Sequence, residues 1–316
     1  MDIETRFYSN GVPLACTICA PDEELTERRY PAVILCHGLS RHRNDGLDSL
    51  ARVLAKAGVA SLRFDFRGCG TQAHTPYQQL VSSELPEDIG AALAFAQTVP
   101  FVDPDRLGLA GISLGGSLAV WVSGAGDQRV KSTVSMAALA DCDAGLRALF
   151  DRAGSNYDRF LERLSCDARI DAATGASQFI NRMEMFAESS LQERLCVLDA
   201  LLSPGNSAYI SLRSVRSFIR LRPLDACARI RCPIYYMHGT DDALIDPTNA
   251  QQLYLATASS HKKIRIFPHV DHNMPLSDGC GAVFQEIAQW FAETLRVRSA
   301  VKAPVEESQE DLAAQA

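Results

Sequence analysis

Short apolar runs alternate with longer amphipathic segments along most of the chain. Two alternating segments, 4–8 and 14–19, flank Asn10-Gly11, and this dipeptide between such segments favours a β-hairpin. From residue 31 onward the pattern switches repeatedly between strand and helix, which is typical of a mostly parallel sheet with helices on both faces. The predicted helices span residues 47–57, 86–98, 114–124, 248–257 and 281–295.

The segment Gly111-Ile112-Ser113-Leu114-Gly115 reads G-x-S-x-G and lies between two apolar runs. Residues 106–110 suit a buried strand, and residues 116–122 suit a buried helix. A serine at such a junction requires a very tight turn, and glycines beside it leave room for that turn. The turn exposes the hydroxyl next to backbone N–H donors, so Ser113 is the candidate nucleophile and the amide of Leu114 a candidate oxyanion donor.

Two earlier strands also end in loops rich in glycine. The run 32–36 is followed by His37-Gly38, where the glycine would allow the amide of Leu39 to approach a developing oxyanion. An ordinary strand that ends in a turn explains the same residues equally well. The next apolar run, 59–64, is followed by Asp65 and Arg67 and then by Gly68 and Gly70. A charged pair at a strand end is usually a structural brace, so we expect these two residues to stabilise the loop.

An acid and a histidine follow the serine, each in a loop after a predicted strand. The run 234–237 precedes Asp242, and the run 264–267 precedes His272. The order serine, acid, histidine is that of a catalytic triad in α/β hydrolases.

These motifs resemble the α/β-hydrolase superfamily, and within it the bacterial esterase and serine-aminopeptidase-like branch that includes monoglyceride lipases and cinnamoyl esterases. The resemblance covers residues 1–140 and 225–297. It implies an eight-stranded, mostly parallel sheet with a helical cap, Ser113 as nucleophile, His272 as base and Asp242 as the acid. The motifs that carry it are HGLS at 37–40, DFRGCG at 65–70, GISLGG at 111–116, HGTDD at 238–242 and DHN at 271–273.

The sequence also offers alternatives for the acid and the base. Asp241 precedes Asp242 directly, and His269 lies three residues before His272. The resemblance favours Asp242, the fifth residue of the H-G-T-x-D pattern, and His272. The other histidines at strand ends, His37 and His238, are expected to bond the backbone of their loops.

The stretch between the sixth and seventh predicted strands is far longer than a simple crossover requires. We therefore divide the chain into a first core part, 1–140, a helical cap insertion, 141–224, and a second core part, 225–297. Residues 298–316 lack apolar periodicity and are predicted to be a flexible polar tail.

A cap in this position is expected to shape the substrate pocket. Arg213, Arg216 and Arg220 recur at helical spacing, with Arg222 close by, and could bind an anionic substrate group. A solvated face or brace pairs with nearby acids explain the same spacing and are favoured. The candidate substrate-binding residues are Phe150, Met183, Phe186, Tyr209, Arg213 and Arg216, with Met185 beside them; core packing explains the apolar ones equally well.

Composition narrows the function classes. The chain has 316 residues, of which 47% are hydrophobic and 22% charged, as in ordinary globular proteins. A net charge of −7 argues against nucleic acid and anionic membranes as partners. The ten cysteines include one C-x-x-C, from Cys16 to Cys19, but no second one that would pair with it. They suit buried thiols in a reducing cytoplasm, and no signal peptide is evident. No metal or organic cofactor is implied, and the oligomeric state is not readable.

These features together predict a serine hydrolase whose substrate is a small molecule, a small or medium carboxylic ester. Amide, peptide, lactone or C–C bond hydrolysis and acyl transfer use the same three residues and stay open as alternatives. The last alternative is a protein with this fold that binds a ligand without catalysing a reaction.

Overall fold

The computed structural model describes residues 1–21, 28–70, 77–78, 83–152, 154–182, 198, 208–274 and 281–296. The predicted polar tail, 298–316, lies outside these residues. No helix in this part of the chain is long and apolar enough to cross a membrane.

Eight strands form one sheet in the order β1-β2-β4-β3-β6-β7-β10-β11. Only the β1–β2 and β2–β4 pairs are antiparallel, so the prediction of a mostly parallel sheet with an antiparallel edge is confirmed. Its strands are β1 (Asp2–Ser9), β2 (Val12–Cys19), β3 (Tyr30–Cys36), β4 (Ala60–Phe64), β6 (Val102–Ile112), β7 (Val130–Met136), β10 (Ile234–Gly239) and β11 (Lys262–Phe267).

The first hairpin forms where the sequence predicts it. Ser9 pairs with Val12, and the two residues between them, Asn10 and Gly11, have φ values of 48° and 80°. Positive φ at both central positions is the geometry of a type I′ turn, which asparagine and glycine tolerate best.

Helices cover both faces of the sheet, because the central strands are apolar on both sides. On β3, Ile34 belongs to the apolar core that includes α2 (Leu85–Thr98) and α3 (Leu114–Gly124). The neighbouring Val33 and Leu35 belong to the opposite core, which includes α1 (Leu47–Lys56) and a C-terminal helix at Gly281–Thr294. Since strands β4, β3, β6, β7, β10 and β11 are parallel, their carboxyl ends lie at the same edge of the sheet.

The chain between β7 and β10 forms further elements with an apolar cluster of their own. Two of its strands, β8 (Phe179–Asn181) and β9 (Tyr209–Ser211), join β5 (Tyr77–Gln78) in a three-stranded sheet. In the described residues its helices are α4 (Cys142–Arg152), α5 (Tyr157–Thr174), α6 (Leu212–Phe218) and α7 (Leu224–Cys227). Two further helices, α8 (Thr248–Ala256) and α9 (Gly281–Thr294), follow β10.

Candidate active site

Ser113 stands at the junction of β6 and α3 with φ 56° and ψ −121°, a backbone conformation that is strained for any residue with a Cβ. Its amide donates to the carbonyl of Met136 over 2.9 Å, which ties the turn to the neighbouring strand. A Cβ on Gly111 would lie 2.2 Å from the carbonyl oxygen of Gly115, and a Cβ on Gly115 would lie 2.2 Å from that of Cys36. Both motif glycines are therefore required by close backbone packing.

The structure brings Ser113, His272 and Asp242 together, although they lie in three separate loops. The Nε2 atom of His272 is 3.1 Å from the Oγ atom of Ser113, and its Nδ1 atom is 2.8 Å from an Asp242 carboxylate oxygen, Oδ2. Asp242 and His272 are 9% and 7% exposed. This line of contacts leaves Nε2 facing the serine hydroxyl when Nδ1 carries the proton.

The Asp242 carboxylate is held in the ionised form. Burial raises its pKa, but the charge of His272 and hydrogen bonds from His238 and His272 outweigh burial, so the pKa lies well below its usual value. Its second oxygen, Oδ1, accepts from the amides of Leu244 and Ile245 at 2.9 and 2.8 Å. An ionised, acceptor-only carboxylate fixes the tautomer of the histidine that it contacts.

His238 also reaches this carboxylate. Its Nε2 atom lies 2.9 Å from Asp242 Oδ2 and 2.9 Å from the carbonyl oxygen of Ile245. The sequence predicts only a backbone contact here, so the contact with the carboxylate is an addition from the structure.

His37 links two loops beside the serine. Its Nδ1 atom lies 2.8 Å from the carbonyl of Gly38, and its Nε2 atom accepts from the amide of Phe66 over 3.1 Å. Since Nε2 accepts, the ring must be neutral with its proton on Nδ1. Burial lowers the pKa of His37 to about 4.

The pKa of His37 predicts how stability depends on pH. Between pH 6.5 and about 4 the unfolded chain binds a proton at His37 that the folded chain does not, so the free energy of unfolding falls as the pH drops through this window. We expect a loss of about 3 kcal/mol from this residue, with its full contribution present above the window. Denaturant unfolding at several pH values measures it. In His37→Gln this part of the pH dependence should vanish, and an unchanged dependence would contradict the assignment.

Leu39 and Leu114, whose amides are the predicted oxyanion donors, lie near Ser113 on two different segments of the chain. Leu39 follows Gly38, where a Cβ would lie 3.4 Å from the Cβ of Ser113, and Leu114 is the first residue of α3. The N-terminal amides of a helix have no partner within the helix, so the Leu114 amide is available to a ligand. Both amides stay candidates for binding an oxyanion.

A mostly apolar cleft opens above Ser113. Two cationic side chains, Arg41 and Arg182, belong to its lining. Arg41 donates to Asp45 and to the amide oxygen of Asn273, each over 2.6 Å, and so joins the loop after β3 to the loop of His272. The other described residues of the lining are Gly38, Leu39, Leu139, Gly145, Leu146, Leu149, Phe218, Leu244, Ile245, His272 and Asn273.

The predicted substrate-binding residues that the structure describes, Phe150, Tyr209, Arg213 and Arg216, do not belong to this lining. Phe150 packs on Tyr157, with ring centroids 5.3 Å apart, and Tyr209 lies in β9. Met183 and Phe186 lie outside the described residues, as does Met185. The lining residues Leu146 and Leu149 are on the same helix as Phe150, and helical spacing alone does not show which of them faces the cleft.

The predicted arginine pair is engaged in ion pairs. Arg213 pairs with Asp171, and Arg216 pairs with both Asp167 and Asp171, so these arginines join α6 to α5. Such brace pairs are the alternative that the sequence favours over an anion site. Among the described residues, no group of three His, Cys, Asp or Glu side chains could hold a metal ion.

The competing acid and histidine lie at the surface. Asp241 accepts from Thr240 and lies 3.6 Å from His269; the side chain of His269 is almost fully exposed and that of Asp241 about half exposed. At the earlier strand ends, Asp65 pairs with Arg43, while Arg67 pairs with the buried Asp88.

An eight-stranded sheet of this order, with a serine at a strained strand–helix turn against a buried histidine and carboxylate, defines the class of α/β-hydrolase enzymes. The chain belongs to the serine aminopeptidase family S33 (Hydrolase_4), whose family model matches residues 28–277. The resemblance inferred from the motifs is thereby confirmed.

Three comparisons show the range of its relatives. An uncharacterised 31.7 kDa protein from the traX-finO intergenic region of Escherichia coli is 28% identical over 305 residues, 93% of this chain and 100% of the relative. A hypothetical protein of Pseudomonas aeruginosa, PA2218, superposes with a TM-score of 0.77 at 21% identity, covering 93% of this chain and 94% of that one. The monoacylglycerol lipase of Paleococcus ferrophilus gives a TM-score of 0.65 at 16% identity, with 90% and 100% covered. The two structural likenesses support the fold.

Proposed function

We propose that the protein hydrolyses small or medium carboxylic esters through an acyl-enzyme intermediate. The observation that carries this proposal is the continuous line of contacts from Ser113 Oγ to His272 Nε2, at 3.1 Å, and from His272 Nδ1 to Asp242 Oδ2, at 2.8 Å. Both distances are within hydrogen-bond reach, as proton transfer from a serine nucleophile requires.

The proposed reaction has two halves. Ser113 Oγ attacks the ester carbonyl carbon while its proton moves to His272 Nε2, and the carbonyl oxygen becomes an oxyanion held by the amides of Leu39 and Leu114. The C–O bond to the alcohol then breaks, and the alcohol leaves with the proton of His272. A water molecule attacks the acyl-enzyme in the same way, giving a carboxylic acid and free Ser113. Asp242 stays ionised throughout and stabilises the imidazolium.

The charge of the cleft favours an ester over the peptide substrate of an aminopeptidase. A peptide N-terminus is an ammonium group, which needs a carboxylate or several acceptors when it leaves water. None of the described lining residues is an aspartate or glutamate, whereas Arg41 and Arg182 are cations and most of the others are apolar. This lining suits a neutral or anionic acyl group.

The segment 141–224 is proposed to act as the cap. Gly145, Leu146 and Leu149 of α4 and Phe218 of α6 line the same cleft as Ser113. Apolar side chains in this position exclude water and limit the length of the acyl chain that fits.

A substrate panel tests the proposal. We expect turnover of p-nitrophenyl esters that peaks at one acyl length between acetate and laurate, and no cleavage of leucine p-nitroanilide. Release of p-nitrophenol and p-nitroaniline measures both reactions, and the same protein pre-treated with a fluorophosphonate provides the control. Cleavage of the anilide without ester turnover would favour an aminopeptidase, and failure to label Ser113 would contradict a serine hydrolase of any kind.

A further inference from the structure

We propose that His238 is a positioning residue of the active site described above. It donates a second hydrogen bond to Asp242 Oδ2, the carboxylate oxygen that His272 also contacts. Through this bond His238 sets the pH at which His272 becomes a competent base. The inference rests on the proposed hydrolase function. His238 lies near the end of β10, and among the described residues its side chain contacts Asp242 and Ile245 rather than Ser113.

The surroundings of His238 determine where its proton lies. The side chain is fully buried, and both neighbours of its Nε2 atom, Asp242 Oδ2 and the Ile245 carbonyl oxygen, are acceptors at 2.9 Å. Nε2 therefore carries the hydrogen. The other nitrogen, Nδ1, is buried without a hydrogen-bond partner in the part of the chain that the structure describes. Protonating it would bury an unsatisfied N–H group, which is costly, so His238 is a neutral donor.

The two histidines compete for one oxygen. Asp242 Oδ2 lies 2.8 Å from His272 Nδ1 and 2.9 Å from His238 Nε2. A second donor draws electron density from Oδ2 and reduces the stabilisation that this oxygen gives to the His272 imidazolium. Without His238, the charged form of His272 would be more stable, and a higher pH would be needed to free it as a base.

Other charged groups act on the same site and are retained in every variant below. Arg152 donates to the carbonyls of Ala243 and Leu244 in the loop of Asp242, and Arg41 donates to Asn273 beside His272. Among the described residues, the other acidic groups in or next to these two loops are Asp45, Asp241, Asp246 and Asp271.

Two substitutions separate the donor from the bulk of the side chain. His238→Gln keeps an N–H donor near the place of Nε2, and His238→Leu removes the donor. The readout is the second-order rate constant for fluorophosphonate labelling of Ser113 as a function of pH, because it needs no natural substrate and reports the free enzyme. His269→Asn is the control, since this exposed histidine lies three residues from His272 and asparagine tolerates its φ of 59°.

We expect the acidic limb of the labelling profile to move to higher pH by about half to one unit in His238→Leu. In His238→Gln and His269→Asn it should stay near that of the wild type. A purely structural role would lower the melting temperature and the labelled fraction without moving the limb. An unmoved limb in His238→Leu, or an equal shift in the glutamine variant, would overturn the inference.

A measurement on the wild type covers the case in which His238→Leu does not fold. Nitrogen NMR of the imidazole rings should show His238 protonated at Nε2 and neutral, and a proton on Nδ1 would overturn the inference. The two proposals fail differently. If the wild type neither reacts with the fluorophosphonate nor hydrolyses esters, the proposed hydrolase function is wrong. If the wild type reacts but the His238 variants do not show the predicted shifts of the pH profile, only the proposed role of His238 is wrong.

Discussion

Replacing Ser113 with alanine is expected to lower kcat for ester hydrolysis by about five to six powers of ten, to the residual rate that the oxyanion donors and substrate binding support without the nucleophile. The substitution removes the Oγ atom that lies 3.1 Å from His272 Nε2 and keeps the Cβ. The hydrogen bond from the Ser113 amide to Met136 and the close packing of Gly111 and Gly115 involve only backbone, so the turn should persist. Steady-state kinetics and fluorophosphonate labelling both measure the loss.

Ser123→Ala provides a matched control on the same helix. Ser123 lies in the last turn of α3, and its hydroxyl contacts Ala119 and Thr133 within the core. This variant should lose about 1 kcal/mol of stability and keep its turnover once folded. Retained ester hydrolysis in Ser113→Ala at more than a hundredth of the wild-type rate would place the nucleophile elsewhere.

The sheet and its covering helices are predictable because their signals are local. Val33, Ile34 and Leu35 follow one another on β3, and such a continuous apolar run is needed only when a strand is buried on both faces. The turn at Ser113 is predictable for a similar reason. In this turn the backbone packs so closely around positions 111 and 115 that only glycine fits there, and the two glycines are visible in the sequence.

The cleft is not predictable in the same way. Arg41 contacts Asn273 across 232 positions of sequence, and no local pattern shows that these two side chains meet. Leu146 and Phe150 are both apolar residues of α4, yet only Leu146 belongs to the described lining of the cleft. Which face of a helix meets the substrate depends on how the helix packs on the sheet, and this is a property of the tertiary structure.

The role of the arginine pair depends on tertiary contacts as well. Helical spacing places Arg213 and Arg216 on one face of α6, and the sequence leaves open whether that face meets a ligand or other side chains. Asp167 and Asp171 lie on α5, four positions apart, and they occupy both arginines. The contact of His238 with Asp242 is a comparable case, because the i, i+4 spacing across a loop gives no geometry until the loop has folded.

Asp242→Asn is expected to lower kcat by about four powers of ten while the protein stays folded. The wild-type carboxylate accepts from the amides of Leu244 and Ile245 on one oxygen and from His272 and His238 on the other. An asparagine must turn its NH2 group towards one of these two sets of donors. If it faces His272, the ring is driven to the tautomer with the proton on Nε2, which cannot accept the proton of Ser113.

Asp241→Asn is the matched control for Asp242→Asn, because it removes one negative charge from the same loop without changing the carboxylate that contacts His272. Asp241 is adjacent in sequence and exposed beside His269, so we expect its substitution to change kcat by less than about twofold, as is usual for an exposed surface charge. Steady-state kinetics of both variants on the best ester of the panel, with melting temperatures, separates the two positions. If Asp241→Asn abolished turnover and Asp242→Asn did not, the acid would be Asp241, and the buried carboxylate beside His238 and His272 would have only a structural role.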